Sequence, residues 1–289
     1  MTSFEIENAG GSNLLDIFGY LDRHSIPSVE NTTRSSYGRL INSNHSQVRL
    51  EIELVNAEGA RQRLLASVDG QPLDDEQLTR VRGLLSLDVD SLAIDNHLGK
   101  DQILKPWIQS HPGLQLPGSW DPGEELLRTM IGQQVSVSAA RTTLSRLCIG
   151  LTGKPAYFPT YSEIAARGHE FLRGPRRRIE SVIGIASALA SEDIQFAPQE
   201  SIETLKQKLL DFPGIGPWTV GYLAMRSFSD LDVFLETDLV ILKAAKLLGI
   251  PDSPKQLSEF AKRWAPYRSI ASLYLWHIAI SSRSSSQEV

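Results

Sequence analysis

Cys148 is the only thiol in 289 residues. A lone cysteine excludes a disulfide framework within the chain, a four-cysteine iron–sulfur cluster and any multi-cysteine zinc site. Long apolar runs are also missing; none approaches the ~18–20 residues that cross a bilayer. The first ten residues, MTSFEIENAG, carry neither the basic nor the apolar stretch of a secretory leader. The expectation is a soluble intracellular protein. The six histidines are dispersed, and no His, Asp or Glu cluster has metal-ligand spacing. An excess of positive charge is lacking too: 29 Lys and Arg against 34 Asp and Glu give −5. Taken whole, that balance argues against a phosphate-rich partner.

The length, at about 100–200 residues per domain, predicts two domains or three small ones, each with its own core. The charge divides unevenly. Residues 1–100 hold 9 basic and 15 acidic side chains, whereas the remainder holds 20 and 19. Some of the latter cluster, with Arg173, Arg176, Arg177 and Arg178 inside six positions, and a global sum hides such local fields. The acidic total therefore demotes nucleic acid as a partner without excluding it.

The N-terminal hundred residues read as mixed α and β. Val48, Leu50, Ile52 and Leu54 alternate with polar residues, the period of a half-buried strand. Asn56-Ala57-Glu58-Gly59 then predicts a turn into a second strand at Arg61–Ala66. Segments 13–23 and 74–87 read as helices, the second with Asp74 and Asp75 at its positive end. Between residues 96 and 123 three Pro-Gly pairs predict irregular connecting chain. Beyond it, every periodic segment is helical. Asp121, Pro122 and Glu124 fit N-cap, N1 and N3 of a capping box opening a helix that stops near Gly132. Further helices are expected at Val137–Cys148 and Arg176–Ala190, and one capped by Ser201 carries Leu205, Leu209 and Leu210 on one face. No internal repeat is present, and Ser281–Val289 reads as a frayed tail.

The most informative stretch is 205–242. A helix ending at Asp211 is followed by Phe212-Pro213-Gly214-Ile215-Gly216, and Pro217 opens the next helix. Two glycines flanking an apolar residue allow a tight turn and bring backbone N–H groups to a helix N-terminus, where they attract phosphate without any Lys or Arg. Taken alone, PGIG equally fits an ordinary helix corner with Ile215 as its plug, and Asp238 before Leu239–Leu242 equally fits a plain N-cap. The context goes further. The hairpin, then Trp218–Arg226, then Asp232-Val233-Phe234-Leu235-Glu236-Thr237-Asp238, with Ile131–Val137 upstream and Arg263–Ser269 and Trp276 downstream, resemble in order and spacing the helix-hairpin-helix DNA glycosylase superfamily. Within it they resemble the 3-methyladenine DNA glycosylase II family, from about residue 13 to 280.

That resemblance implies an α+β fold: a small antiparallel sheet domain over residues 1–96, then two all-helical lobes. One lobe would span 118–230 and carry the hairpin; the other would combine 97–117 with 231–289. It implies that Asp238 is the catalytic carboxylate, stabilising the positive sugar formed as an N-glycosidic bond breaks or activating the attacking water. The helix N-terminus beneath it favours the anion. Trp218, Tyr222 and Trp276 would wall the pocket for an extruded base, adding cation–π attraction for an alkylated purine. Ser269, Ser272 and Ile280 share the face of Trp276 and are expected to leave room beside the indole. Trp264 and Tyr267 read as core residues.

Gln134 would be the wedge that fills the gap left by the base. Phe212, Gly214, Ile215, Gly216, Thr219 and Arg176 would contact DNA, and Phe212 with Gly214 would share a structural Na⁺ or K⁺ with a phosphate. No other cofactor and no catalytic metal are implied. Bifunctional members carry a Lys where this chain has Trp218, so strand cleavage is not expected. The implied activity is a monofunctional glycosylase excising 3-methyladenine and related N3- and N7-alkyl purines from duplex DNA, acting as a monomer in cytoplasm, nucleoid or nucleus. The alternatives are a non-catalytic DNA-binding module and a glycosylase for deaminated or oxidised bases. The sequence of the N-terminal domain is uninformative about chemistry; the domain is expected to pack on the helical lobes and contribute stability.

Overall fold

The computed structural model describes residues 4–7, 11–43, 46–56, 62–196 and 202–284. Five strands, β1 (Phe4–Glu7), β2 (Glu30–Thr32), β3 (Ser36–Ser43), β4 (Ser46–Asn56) and β5 (Arg63–Val68), form one antiparallel sheet in the order β1-β5-β4-β3-β2. Helix α1 (Leu14–His24) lies against it. The alternation in β4 has the expected effect: Leu50, Ile52 and Leu54 are buried, while Glu51 and Glu53 are exposed. With Leu64, Ala66 and Val68 of β5 they enclose Leu14, Ile17, Phe18 and Leu21 of α1 in one apolar cluster. The second strand starts at Arg63, two residues later than predicted. The turn Ala57–Gly59 lies outside the described residues, as do Ser201 and the tail beyond 284.

Everything beyond β5 is helical: α2 (Asp75–Leu84), α3 (Ser91–Leu98), α4 (Lys105–Ser110), α5 (Pro122–Gly132), α6 (Val137–Thr152), α7 (Tyr161–Phe171), α8 (Arg176–Ala190), α9 (Ile202–Leu210), α10 (Pro217–Ser227), α11 (Leu239–Leu248), α12 (Pro254–Ala261) and α13 (Arg268–Ser284). The capping chemistry explains many of the starts. Asp74 and Gln77 complete a capping box on α2, as Thr160 and Glu163 do on α7, which supplies two of the four orphan N–H groups a helix start leaves. Helix α2 ends three residues short of the predicted 87, where Ser86 turns to φ +51°.

Two further expectations are corrected. The connecting segment is not wholly irregular, because Asp90 caps α3 through the Ala93 N–H and Pro106 sits in the first turn of α4. The capping box of α5 is only half present: the Asp121 side chain accepts from the Glu124 N–H at 2.8 Å, but the Glu124 carboxylate does not reach back. It is drawn instead to Arg39 of β3, whose two Nη atoms donate to it at 2.9 and 2.7 Å, and to Arg128 at 3.0 Å.

Arg39 points inward between Tyr37 and Ile41, a phase of the strand otherwise apolar, and Glu30 lies close by. Arg128 bridges Glu30 at 3.1 Å and also donates to the His24 carbonyl. Two carboxylates and two guanidiniums are thus buried together where the sheet meets α5. Burial alone would push the Glu30 pKa up; Arg128 and Arg39 outweigh it and hold the group down to about 2. Two more apolar clusters complete the interior. One joins α5–α10 around Leu126, Leu147, Ile185 and Leu223; the other joins α3, α4 and α11–α13 around Trp264, which is fully buried. Cys148 lies inside the former, and burial pushes its thiol up to about 12, so it stays protonated and inert.

Candidate active site

The hairpin between α9 and α10 is built on Gly214 at φ +89°, in the region that favours glycine. A Cβ there would stand 2.9 Å from the Ser181 side chain on α8. Gly216 is different: its φ is −117° and nothing lies within 4 Å of its would-be Cβ. Ile215 turns inward and plugs the apolar cluster of α5–α10. Two hairpin donors are already used, since the Phe212 N–H donates to Leu209 O and the Ile215 N–H to Phe212 O. This corrects the expectation that Phe212 and Ile215 offer N–H groups outward. The N–H groups of Gly214, Gly216, Trp218 and Thr219 find no acceptor among the described residues. Thr219 is corrected as well: the residue is 2 % exposed, and its hydroxyl is turned inward onto Gln133.

The Thr219 hydroxyl accepts from Gln133 Nε2 at 2.9 Å, and the same amide nitrogen donates to Gly214 O at 3.2 Å. Gln133 therefore ties the loop between α5 and α6 to the hairpin. Sequence reasoning gave it no role, because its neighbour Gln134 looks chemically identical. The backbone separates them. Gln134 is exposed and held at φ +57°, a strained setting for a side chain with a Cβ and one that persists where the surroundings enforce it. Arg176, the first residue of α8, is 92 % exposed and pairs with Glu180 at 2.7 Å. The packing of Gly214 on Ser181 brings that end of α8 beside the hairpin, so three segments distant in sequence share one face.

Asp238 is the N-cap of α11, as its position before an apolar run dictates. Its Oδ1 accepts from the Val240 N–H at 2.8 Å and the Ile241 N–H at 3.0 Å. The Trp276 indole donates to the same oxygen at 3.1 Å, and the Trp218 indole donates to Oδ2 at 2.9 Å. One carboxylate thus orients two indoles arriving from different helices. Trp218 and Tyr222, one helical turn apart, stack with centroids 5.2 Å apart and planes 5° from parallel. They form one wall, and Trp276 meets Tyr222 edge-on at 6.1 Å. All four residues line a cavity of about 720 Å³, large enough for a nucleobase by the usual size of ligand sites. Ser269 and Ser272, on the face of Trp276, do not themselves line it; their hydroxyls donate to the Asp230 and Arg268 carbonyls, and Ile280 of that face reaches the cavity beside Trp276.

The N-terminal region, about whose chemistry the sequence is uninformative, supplies part of the cavity wall. Tyr20 and His24 of α1 stack at 4.0 Å, and the Tyr20 hydroxyl lies 2.7 Å from that of Tyr222. Arg226 donates to both, at 2.8 and 3.0 Å. No lysine lines the cavity among the described residues, and none of them forms a cluster of three His, Cys, Asp or Glu suited to a metal ion. No described helix is long and apolar enough to cross a membrane.

A small antiparallel sheet, helical lobes, a glycine hairpin at a helix N-terminus and an aspartate-anchored aromatic cavity together make the architecture of the helix-hairpin-helix DNA glycosylases. The 3-methyladenine DNA glycosylase of Archaeoglobus fulgidus has this fold, with a TM-score of 0.77 at 18 % identity over 96 % of this chain and 98 % of its own. Residues 12–121 match the AlkA N-terminal domain family. The Escherichia coli DNA-3-methyladenine glycosylase 2 is 30 % identical over 90 % of this chain and 92 % of its own length. The chain belongs to the DNA-3-methyladenine glycosylase 2 family. It is also 31 % identical to a probable bifunctional transcriptional activator/DNA repair enzyme AlkA of Mycobacterium tuberculosis, over 90 % of this chain, and spans about half of that relative, 53 %.

Proposed function

We propose that this protein is a monofunctional DNA glycosylase that excises alkylated purines, 3-methyladenine and its N3- and N7-alkyl relatives, from duplex DNA. The observation that carries the reading is the convergence of two indole and two backbone N–H groups on Asp238 inside an aromatic cavity. A pure DNA-binding module needs neither the cavity nor the anchored carboxylate. The relatives' names and folds support the same class of reaction.

The donor count assigns the work to one oxygen. Oδ1 accepts three hydrogen bonds and has no lone pair to spare, whereas Oδ2 accepts one. Oδ2 is therefore the oxygen available to a sugar C1′ or to a water molecule beside it. As the bond to the base breaks, positive charge grows on the sugar. A carboxylate already fixed in place stabilises it without reorganising. The stacked Trp218–Tyr222 wall and Trp276 receive the extruded base, and their π faces attract the positive charge of an alkylated purine. That charge makes the base a good leaving group. Among the described residues no lysine lines the cavity, which favours hydrolysis over Schiff-base formation and strand cleavage.

On the outer face, Gln134 fills the space the base vacates, while the N–H groups of Gly214, Gly216, Trp218 and Thr219 hold a backbone phosphate, with Arg176 adding charge nearby. A Na⁺ or K⁺ shared with that phosphate suits the hard carbonyl oxygens of Phe212 and Gly214, which each use one lone pair inside the protein. The site of action is the compartment that holds the DNA.

The deciding assay incubates methylated duplex DNA with the wild type and with Asp238→Asn and measures released 3-methyladenine and 7-methylguanine. Release by the wild type alone is expected; duplex binding by both proteins with release by neither leaves only the binding module. The hairpin carries its own test. Gly214→Ala should cost about 1–3 kcal/mol of stability, because the left-handed φ and Ser181 both oppose a methyl group. Gly216→Ala should melt like the wild type, since its methyl meets only open space, and should bind duplex DNA several-fold more weakly. Binding by Gly216→Ala within twofold of wild type would remove the phosphate from this hairpin.

A further inference from the structure

We infer that Tyr20, Tyr222 and Arg226 form a hydrogen-bond donor directed at the base, one that makes neutral purines such as hypoxanthine leave. This extends the glycosylase reading to Tyr20 and Arg226, which that reading does not use, and to the hydroxyl of Tyr222, and it depends on that reading for the reaction itself. The argument begins with counting protons. The two phenol oxygens lie 2.7 Å apart, so one hydroxyl donates to the other. Both oxygens also accept from Arg226 Nη1, at 2.8 and 3.0 Å. A guanidinium only donates, and it cannot take up either phenol proton. Two hydroxyls therefore hold two protons, of which the pair consumes one. The second has no acceptor among the described residues. Tyr20 and Tyr222 both line the cavity that holds Asp238, and on this inference the unspent proton is directed into the space a base would occupy.

The guanidinium is fixed where it stands. Its Nε and Nη2 donate to the Pro117 and Gly118 carbonyls, and Glu125 lies 3.4 Å from Nη1. It also lies over the Tyr20 and Tyr222 rings, 5.0 and 5.7 Å from their centroids. A cation donating to both phenol oxygens polarises them, which strengthens the remaining O–H as a donor. Burial raises the pKa of Tyr222 well above its usual value, so its hydroxyl stays protonated. His24, stacked on Tyr20, is driven down to about 4 by burial and is neutral at neutral pH, so the charges behind the pair are those of Arg226 and its partner Glu125.

The consequence is a division between substrates. An alkylated purine departs as a neutral molecule and needs no donor. A neutral purine departs with negative charge building on its ring nitrogens, and a hydrogen bond to one of them stabilises that charge. The C1′–N9 bond breaks with its electron pair leaving on the base. The oxygen of water bonds to C1′, and the proton that water gives up ends on the released purine. The tyrosine hydroxyl finishes the cycle as it began.

The test measures single-turnover release of hypoxanthine and of 7-methylguanine from otherwise identical duplexes by Tyr20→Phe, Tyr222→Phe and the double variant. Each single variant keeps one phenol whose proton is no longer spent on a partner, so each retains a donor. The double variant has none. The ratio of hypoxanthine to 7-methylguanine release is expected to stay within about fivefold of wild type in both single variants and to fall about 10- to 100-fold in the double. A ratio taken on one preparation does not depend on how much of it is folded. Equal loss on both substrates in the double variant, no loss on either, or a wild type that releases 7-methylguanine but no hypoxanthine would each overturn the inference. A wild type that releases neither base overturns the glycosylase reading beneath it.

Discussion

Replacing Asp238 by asparagine is expected to lower single-turnover release of 7-methylguanine by about 10²–10³-fold while lowering the melting temperature by only a few degrees. The two effects separate because the two oxygens do different work. Asparagine keeps an oxygen where Oδ1 stands, so the Val240 and Ile241 N–H groups and the Trp276 indole retain their acceptor. What is lost is the negative charge and the acceptor for the Trp218 indole. An unpaired, partly buried donor of that kind costs about 1–3 kcal/mol. Alanine removes all four bonds at once. It should match asparagine in activity and fall below it in stability, by about 0.5–2 kcal/mol for the helix cap alone. Release by Asp238→Asn above a tenth of the wild-type rate would mean that the carboxylate charge is not what drives bond breaking.

The second large effect is structural. Arg39→Met should destabilise the fold by about 3–5 kcal/mol, because removing one member of a buried ionic group leaves the others uncompensated. Glu124 would lose a bidentate partner and Glu30 a nearby cation, with Arg128 left as the single guanidinium facing both carboxylates. The double variant Arg39→Met/Glu124→Leu should recover much of the loss, since an apolar pair of similar volume often matches a buried ion pair. Acid unfolding gives an independent reading. Glu30 is held down to about 2 in the folded protein, below its value of roughly 4.3 in an unfolded chain. A depressed folded pKa contributes stability that is complete above the unfolded value and lost as pH falls through the folded one. The wild type should therefore lose this contribution between about pH 4.5 and 2; in Arg39→Met the contribution should be smaller and its loss complete at a higher pH. Chemical denaturation as a function of pH measures both; a variant within about 1 kcal/mol of wild type at pH 7 would show that the cluster is solvated.

What could be read from the sequence was what is local. The alternation in β4, the extent of α8 at Arg176–Ala190, the hairpin and the cap role of Asp238 all depend on residues within a turn or two of one another. Helices α7 and α12 went unnoticed because too few apolar positions establish a period: α7 buries Ile164 and Gly168, and α12 buries Leu257 and Ala261. The ionic cluster joins residues 85 and 98 positions apart, and the Tyr20–Tyr222 contact spans 202; no spacing rule reaches so far. The readable trace was Arg39, a charge at the inward phase of a strand, and it asks for a buried partner without naming one. Gln133 and Gln134 make the same point in miniature: two identical side chains in sequence are sent in opposite directions by one backbone dihedral.

The bonds that meet at Gly214 make the outer face a ruler. Its carbonyl is held by Gln133, its Cα rests on Ser181, and Gln134 follows on the same strained loop. The span between the hairpin amides and the Gln134 side chain is thus set inside the protein, before any partner arrives. A duplex that meets both points must conform to that length, so lengthening the loop between α5 and α6 by one residue would shift the Gln134 side chain relative to the hairpin amides.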